Sequence, residues 1–258
     1  MKIFKEIYAY REMIRGLVHR DLRGRYKGSV LGFAWTFINP FLQLLVYTMV
    51  FSVIMRSGIE KYYLYLFVAL IPWLFFSTSV SFGCNCVLGQ QGMVTKIYFP
   101  REVLPIAHVT ASFINMLYCF VVVFAVVILS GVKLSFVALL TLPLIMIIEY
   151  AFALGMCLIV SAVTVYFRDL AHITGIITMA WQFLTPIMYS VEMVPERLRT
   201  IFYLNPMTPI IVAYRDILYY GRVPELSTLA LSVLFAVVFL VGGFWVFDRL
   251  KRGFAEQM

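Results

Sequence analysis

Residues 103–129 read VLPIAHVTASFINMLYCFVVVFAVVIL, twenty-seven positions without one Lys, Arg, Asp or Glu. As a helix at about 1.5 Å per residue this stretch extends roughly 40 Å, more than the ~30 Å of a bilayer's hydrocarbon core. Working outward, five further apolar runs occupy residues 31–54, 62–88, 134–165, 171–189 and 226–247. All twenty-one Lys and Arg residues fall outside the six runs. Lipid offers the backbone no replacement hydrogen-bond partner, so segments of this kind satisfy their N–H and C=O groups internally, as helices. A composition 62% hydrophobic and 13% charged, with mean hydropathy +0.92, leaves too little polar surface for a soluble core of this size. The expected fold is therefore an all-α membrane protein with six transmembrane helices.

The basic residues orient those helices, because cytoplasmic connections carry the excess of Lys and Arg. With the amino terminus inside, the inner side receives the eight cations from Lys2 to Lys27, then Lys96, Arg101, Arg168, Arg249, Lys251 and Arg252. The outer side receives Arg56, Lys61, Lys133, Arg197, Arg199, Arg215 and Arg222, half as many. Both termini are thus expected in the cytoplasm of a multi-pass inner-membrane or plasma-membrane protein. The first run lies too far from the amino terminus, and is too long, for a removable secretion signal. The net charge of +8 then reads as topology signal and attraction to anionic lipid rather than a nucleic-acid surface.

No internal repeat divides the chain, and residues 1–258 read as one membrane domain. Residues 1–30 alternate cations with Ile3, Phe4, Ile7, Met13, Ile14, Leu17, Val18 and Leu22 at nearly helical intervals. The pattern suits an amphipathic helix in the interface, or a charged flank that only sets topology. Residues 31–190 hold the first five spans, and 226–258 the sixth with its tail. Between them, residues 191–225 are rich in Ile, Phe, Tyr and Leu, with neither apolar stretch long enough to cross. Asn205-Pro206 breaks the stretch 198–204, Thr208-Pro209 resembles a helix start and Gly221 a stop, bracketing residues 210–220. Two short re-entrant helices, or an interfacial cover, fit these signals.

The ionisable residues constrain the chemistry. Cys84, Cys86, Cys119 and Cys157 all lie in spans without CxxC spacing, and His19, His108 and His172 are scattered, so no metal site is expected. Glu149 is the one carboxylate in mid-span, where an unpaired charge costs about 2.5–3.5 kcal/mol; a hydrogen-bonded helix contact is expected of it. An ion-coupled carrier would want paired intramembrane ionisable groups. An intramembrane prenyl-lipid enzyme would want clustered carboxylates for a metal, yet the inner connections offer only Glu102 and Asp169.

Five stretches in order carry a resemblance that runs over nearly the whole chain. They are residues 25–35 (RYKGSVLGFAW) with Pro40 following, 99–105 (FPREVLP), 166–170 (YFRDL), 185–189 (TPIMY) and 205–209 (NPMTP). The sequence resembles the permease subunit of ABC-2 type transporters of the polysaccharide and polyol phosphate exporter family, the O-antigen, teichoic acid and capsule group. The resemblance implies a homodimeric pore moving a polyprenyl-diphosphate-linked polysaccharide, with two copies of a separate ATPase subunit beneath it. ATP and Mg would be bound by that partner, in keeping with the lack of a GxxxxGK[ST] phosphate loop here.

The same resemblance implies roles for particular residues. Lys96, Ile97, Tyr98, Phe99, Pro100, Arg101 and Glu102 would form the ATPase-coupling loop, whose aromatic centre and charged rim suit a protein groove. The interface helix, with Arg20, Arg23 and Arg25, would belong to the same contact region. Trp35, Phe37 and Tyr47 on the first span, and Trp181, Gln182, Phe183 and Tyr189 on the fifth, would line the substrate channel. Aromatic rings suit sugars, because they offer apolar faces with a polar handle on Tyr and Trp. Tyr203, Asn205, Pro206, Pro209 and Tyr214 would belong to the outer gate.

Overall fold

The computed structural model describes residues 2–25, 27–54 and 58–257; Tyr26, from the RYKGSVLGFAW stretch, and Arg56, from the cation count, lie outside the described residues. So do the side chains of Ile3, Phe4 and Leu198. Among the described residues twelve α-helices follow one another: α1 (Lys2–Ala9), α2 (Arg11–Gly24), α3 (Trp35–Thr48), α4 (Tyr62–Ser81), α5 (Gln91–Val94), α6 (Val103–Leu129), α7 (Phe136–Tyr166), α8 (Leu170–Leu184), α9 (Glu196–Tyr203), α10 (Met207–Leu218), α11 (Leu226–Leu250) and α12 (Phe254–Gln257). Among the described residues five helical segments are long and apolar enough to cross a membrane: Gly32–Ser52, Tyr62–Asn85, Val103–Leu129, Phe136–Tyr166 and Leu226–Gly253.

The centre of the bundle is α4. Residues Leu64 to Ile71 are buried without interruption, so the helix is apolar all round because it is covered all round. Helices α3, α6, α7, α8 and α10 pack about it. Outside this core α11 lies along α7, where Gly155 and Gly243 meet back to back. A Cβ on Gly155 would strike the Phe239 carbonyl, and one on Gly243 the backbone of Gly155. With no hydrophobic drive between helices in lipid, such close backbone approach is what holds a pair together.

Side-chain ties identify two ends of the bundle. At the near end Tyr10 OH donates to the Tyr98 carbonyl (3.5 Å), and Tyr166 OH to that of Leu250 (2.7 Å). At the far end Lys61 Nζ donates to the Ser130 carbonyl (2.5 Å), and Tyr219 OH to that of Glu60 (2.6 Å). There Gly221, in the left-handed region at φ +64°, sits directly beneath the Lys133 carbonyl and has no room for a side chain.

The helices depart from the sequence expectation in several places: the second run is α-helical only to Ser81, and the amino-terminal helix is divided into α1 and α2. The first run is not one α-helix: a 3₁₀ turn (Gly32–Ala34) leads into α3, and a π turn (Met49–Ile54) ends it. The fifth run, expected as a helix over 171–189, stops at Leu184, because Pro186 denies Thr185 the helical region and leaves it extended at φ −99°, ψ 136°. The helix expected over 210–220 begins at Met207, whose N–H is bonded by Asn205 Oδ1 (3.0 Å), and ends at Leu218. It ends early because Gly221 turns the Arg222 N–H back onto the Asp216 carbonyl (2.8 Å).

Candidate functional site

The loop 95–102 is pinned on both sides and free at its tip. Its entry is fixed by α5, whose Met93 carbonyl accepts from the Ile97 N–H (3.0 Å). Its exit is fixed by charge. Lys251 Nζ bridges Glu102 Oε1 (2.6 Å) and Asp248 Oδ1 (2.7 Å), while Arg101 Nη1 donates to the Lys251 carbonyl and its guanidinium lies over the Phe254 ring. Phe99 turns into the core at 5% exposed, whereas Tyr98 next to it is 93% exposed and Ile97 and Lys96 also face outward. A cavity of about 430 Å³ opens beside this tip, lined by Glu6, Tyr10, the loop, Lys251 and Arg252. Thus the two anchors expected of the loop divide their work: Phe99 fastens it, and Tyr98 is presented.

The amphipathic α2 packs its apolar side, Leu17, Val18 and Leu22, against Ala107 and Ala111 of α6. Arg20 and Arg23 face outward, while Arg25 reaches α6 and donates to Ser112 Oγ (2.9 Å). Asp21 is paired with Arg25 (3.3 Å) and His108 Nδ1 (3.4 Å). Burial acts to raise the Asp21 carboxyl, but the His108 hydrogen bond and the Arg25 charge outweigh it and hold the group below the usual carboxylate range. These residues form one wall of a cavity of about 550 Å³ that continues past Trp35, Asn39 and Asn115 to Phe75 and Thr78 of α4. Its donors and acceptors suit a polar group entering between helices.

Helices α3 and α8 meet where Gln182 Nε2 donates to Tyr47 OH (3.3 Å). Phe183 is exposed; Phe37 stacks edge-on with Phe33 (5.4 Å), and Tyr189 OH donates to the Phe183 carbonyl (2.7 Å). Trp35 stands apart from these, at the near-end cavity, with its Nε1 on Ser29 Oγ (3.0 Å). Asn205 is a junction: its Oδ1 accepts from Trp181 Nε1 (2.8 Å), and its Nδ2 donates to Thr185 Oγ1 (2.9 Å) and the Leu184 carbonyl (3.2 Å). Pro206 caps α10, Tyr203 is exposed on α9, and Pro209 and Tyr214 turn inward. Tyr214 OH supplies the partner expected for Glu149, donating to Oε2 at 2.6 Å between two fully buried side chains.

One feature was not anticipated. Arg215, counted as an outer cation, is 3% exposed, stacks 3.7 Å over the Tyr65 ring and donates to the carbonyls of Ile187 (2.5 Å) and Tyr189 (3.4 Å). Its place within the apolar stretch 207–218 was the signal that could have shown it. The cysteines serve helix contacts: Cys84 Sγ approaches Thr174 Oγ1 (3.4 Å) and Cys119 Sγ the Thr36 carbonyl (3.3 Å).

Residues 12–219 match a family model described as ABC-2 type transporter. Over the full length of both chains the sequence is 34% identical to an O-antigen export system permease protein of Myxococcus xanthus. It is 31% identical to a permease of the same name from Klebsiella pneumoniae, over 93% of this chain and 92% of that one. It is 22% identical to a polysialic acid transport protein of Escherichia coli, over 89% and 90% of the two chains.

Proposed function

The chain belongs to the ABC-2 type transporter family, and on that premise we propose that it is the permease half of an exporter for a polyprenyl-diphosphate-linked polysaccharide. The single observation that carries the cargo class is the 34% identity with an O-antigen export permease, extending over the full length of both chains. The polysialic acid transport protein is more distant, at 22%. Two copies of the chain enclose the path, and two copies of a separate ATPase subunit, holding ATP and Mg, supply the energy.

The geometry supports a division of labour. The near end faces the cytoplasm, and the exposed Tyr98 with its adjoining cavity is the docking point for the ATPase. Lys251 and Arg101 couple that point to α11 and α6. The cavity walled by Asp21, Arg25, His108 and Ser112 opens beside α2, where the polar head of a lipid-linked substrate enters while its tail stays in the bilayer. Residues 170–189 complete a sixth crossing: Thr174 lies level with Cys84 at one end of α4, and the Met188 carbonyl accepts from Tyr62 OH (2.8 Å) at the other. The extended stretch after Leu184 makes up the length that a 15-residue helix lacks. Helices α9 and α10 form the outer gate, fastened to α8 through Asn205.

Deletion of the gene tests the reading. Surface polysaccharide is expected to disappear while lipid-linked glycan accumulates in the cytoplasmic leaflet, and the purified chain is expected to bring an ATPase subunit with it. Normal surface polysaccharide in the deletion strain would remove the proposal.

A further inference from the structure

The far end carries two adjoining cavities, of about 420 and 190 Å³, that share Tyr65, Ser190, Glu192 and Tyr220. The larger lies within the range of about 300–1,000 Å³ typical of small-molecule sites. Its walls are unusual for a membrane protein's surface. Tyr219 and Tyr220 stand edge to face (4.8 Å, 85°), with Tyr220 52% exposed, and Tyr65 closes the depth where both cavities meet.

The polar groups around these rings are of both kinds. Most of the charge is already spent: Asp216 is held by Arg222 (2.7 Å), and Arg199 donates to the carbonyls of Val194 (3.0 Å) and Glu192 (2.9 Å). The Glu192 side chain is exposed and, among the described residues, joins no ion pair, so it offers an acceptor. Arg215 offers a donor. Its Nε is buried without a hydrogen-bond partner among the described residues, in a side chain 3% exposed that lines the smaller cavity. A buried guanidinium donor left unmet is costly, so an occupant able to accept from it is favoured.

We propose that this is a saccharide-binding groove taking one or two neutral pyranose rings of the exported glycan as it emerges. A sugar ring has C–H faces that lie on tyrosine and hydroxyls that both donate and accept, matching the rings, Glu192 and Arg215 together. An apolar occupant would leave Arg215 Nε and Glu192 dry, and an anionic one finds no net attraction, because Glu60, Glu192 and Asp216 stand against Arg199, Arg215 and Arg222. The groove rests on the export reading above for its cargo and its outward orientation. It adjoins the expected channel residues at Tyr189, whose carbonyl accepts from Arg215 (3.4 Å) and from Tyr65 OH (3.1 Å).

The probe is the host's own surface polysaccharide, cleaved by mild acid to lipid-free di- to tetrasaccharides. Saturation-transfer NMR is recorded with the permease–ATPase complex in nanodiscs. Transfer to sugar C–H protons is expected with the natural chain and with Tyr220→Trp, and binding about five- to tenfold weaker with Tyr220→Ala and with Glu192→Gln. Absence of transfer with the natural chain, or equal transfer with all variants, would overturn the groove. Tyr220 and Glu192 are exposed and on different segments, so a melting curve matching the natural chain separates lost binding from lost fold. The deletion strain separates the two readings: surface glycan abolished by deletion, with no sugar bound by the complex, sinks the groove and leaves export standing.

Discussion

At the scale of single residues, Tyr98 and Phe99 are neighbours with opposite duties, and substitutions should part them. Tyr98→Ala removes a ring that touches solvent, so the chain's own melting point should move little, within about 0.5 kcal/mol of stability. On the proposed docking role, its loss should weaken ATPase association by about 2 kcal/mol, roughly thirtyfold, measured by titrating the purified subunit onto nanodiscs. Unchanged affinity would sink the docking role. Asp21 gives a pH-dependent counterpart. Its folded carboxyl lies below the unfolded value of about 3.9, so its contribution is present above that value and is lost as pH falls through the folded one. Asp21→Asn should therefore lower the melting point at pH 7, by about 1 kcal/mol of stability, with the gap from the natural chain closing in strong acid. A gap that stays constant from neutral to strongly acidic pH would contradict this linkage. Sequence alone made Glu149 legible as a carboxyl needing a partner, because its cost in mid-span is large; that Tyr214 answers it depends on the rotation of α10, which no spacing rule supplies.

At the scale of elements, the α7–α11 pair is governed by two glycines with no latitude. Gly155→Ala would set a methyl group against the Phe239 backbone, which cannot yield as a side chain would; a loss of about 1–3 kcal/mol is expected in thermal unfolding. Gly242→Ala, one position from Gly243, enters open space and should be neutral or gain up to about 1 kcal/mol from helix propensity. Equal effects of the two would refute the contact. The long helices were readable because an uncharged apolar run of that length fits little besides a membrane span: α6 falls on residues 103–129 as the sequence delimits it. Boundaries set by local backbone chemistry were less so. The Thr185-Pro186 break lies within the TPIMY stretch, yet hydropathy carried the expected helix straight through it, because apolarity reports burial and not backbone direction. Helix α10 was foreseen in kind but displaced, since its start is set by the Asn205 side chain rather than by the Thr-Pro pair.

At the scale of the molecule, the two exposed tyrosines Tyr98 and Tyr220 lie at opposite ends and make the proposed topology measurable. With Cys84, Cys86, Cys119 and Cys157 replaced, Tyr98→Cys should react with a membrane-impermeant maleimide only after the cytoplasm is opened, and Tyr220→Cys in intact spheroplasts. Labelling of both from one side would overturn the three crossings, by α6, α7 and residues 170–189, that are proposed to separate them. The positive-inside count reached this orientation from cations alone, but it misjudged Arg215. A tally treats every guanidinium as wet, whereas this one is enclosed by Tyr65 and two carbonyls. The packing of α12 carries a practical consequence. Phe254 is buried against Phe247, Tyr166 and Arg101, which holds α12 next to Arg252, at the rim of the cavity that Tyr98 overlooks. Any polypeptide appended there, an affinity handle or a fluorescent fusion included, would hang over the proposed seat of the ATPase.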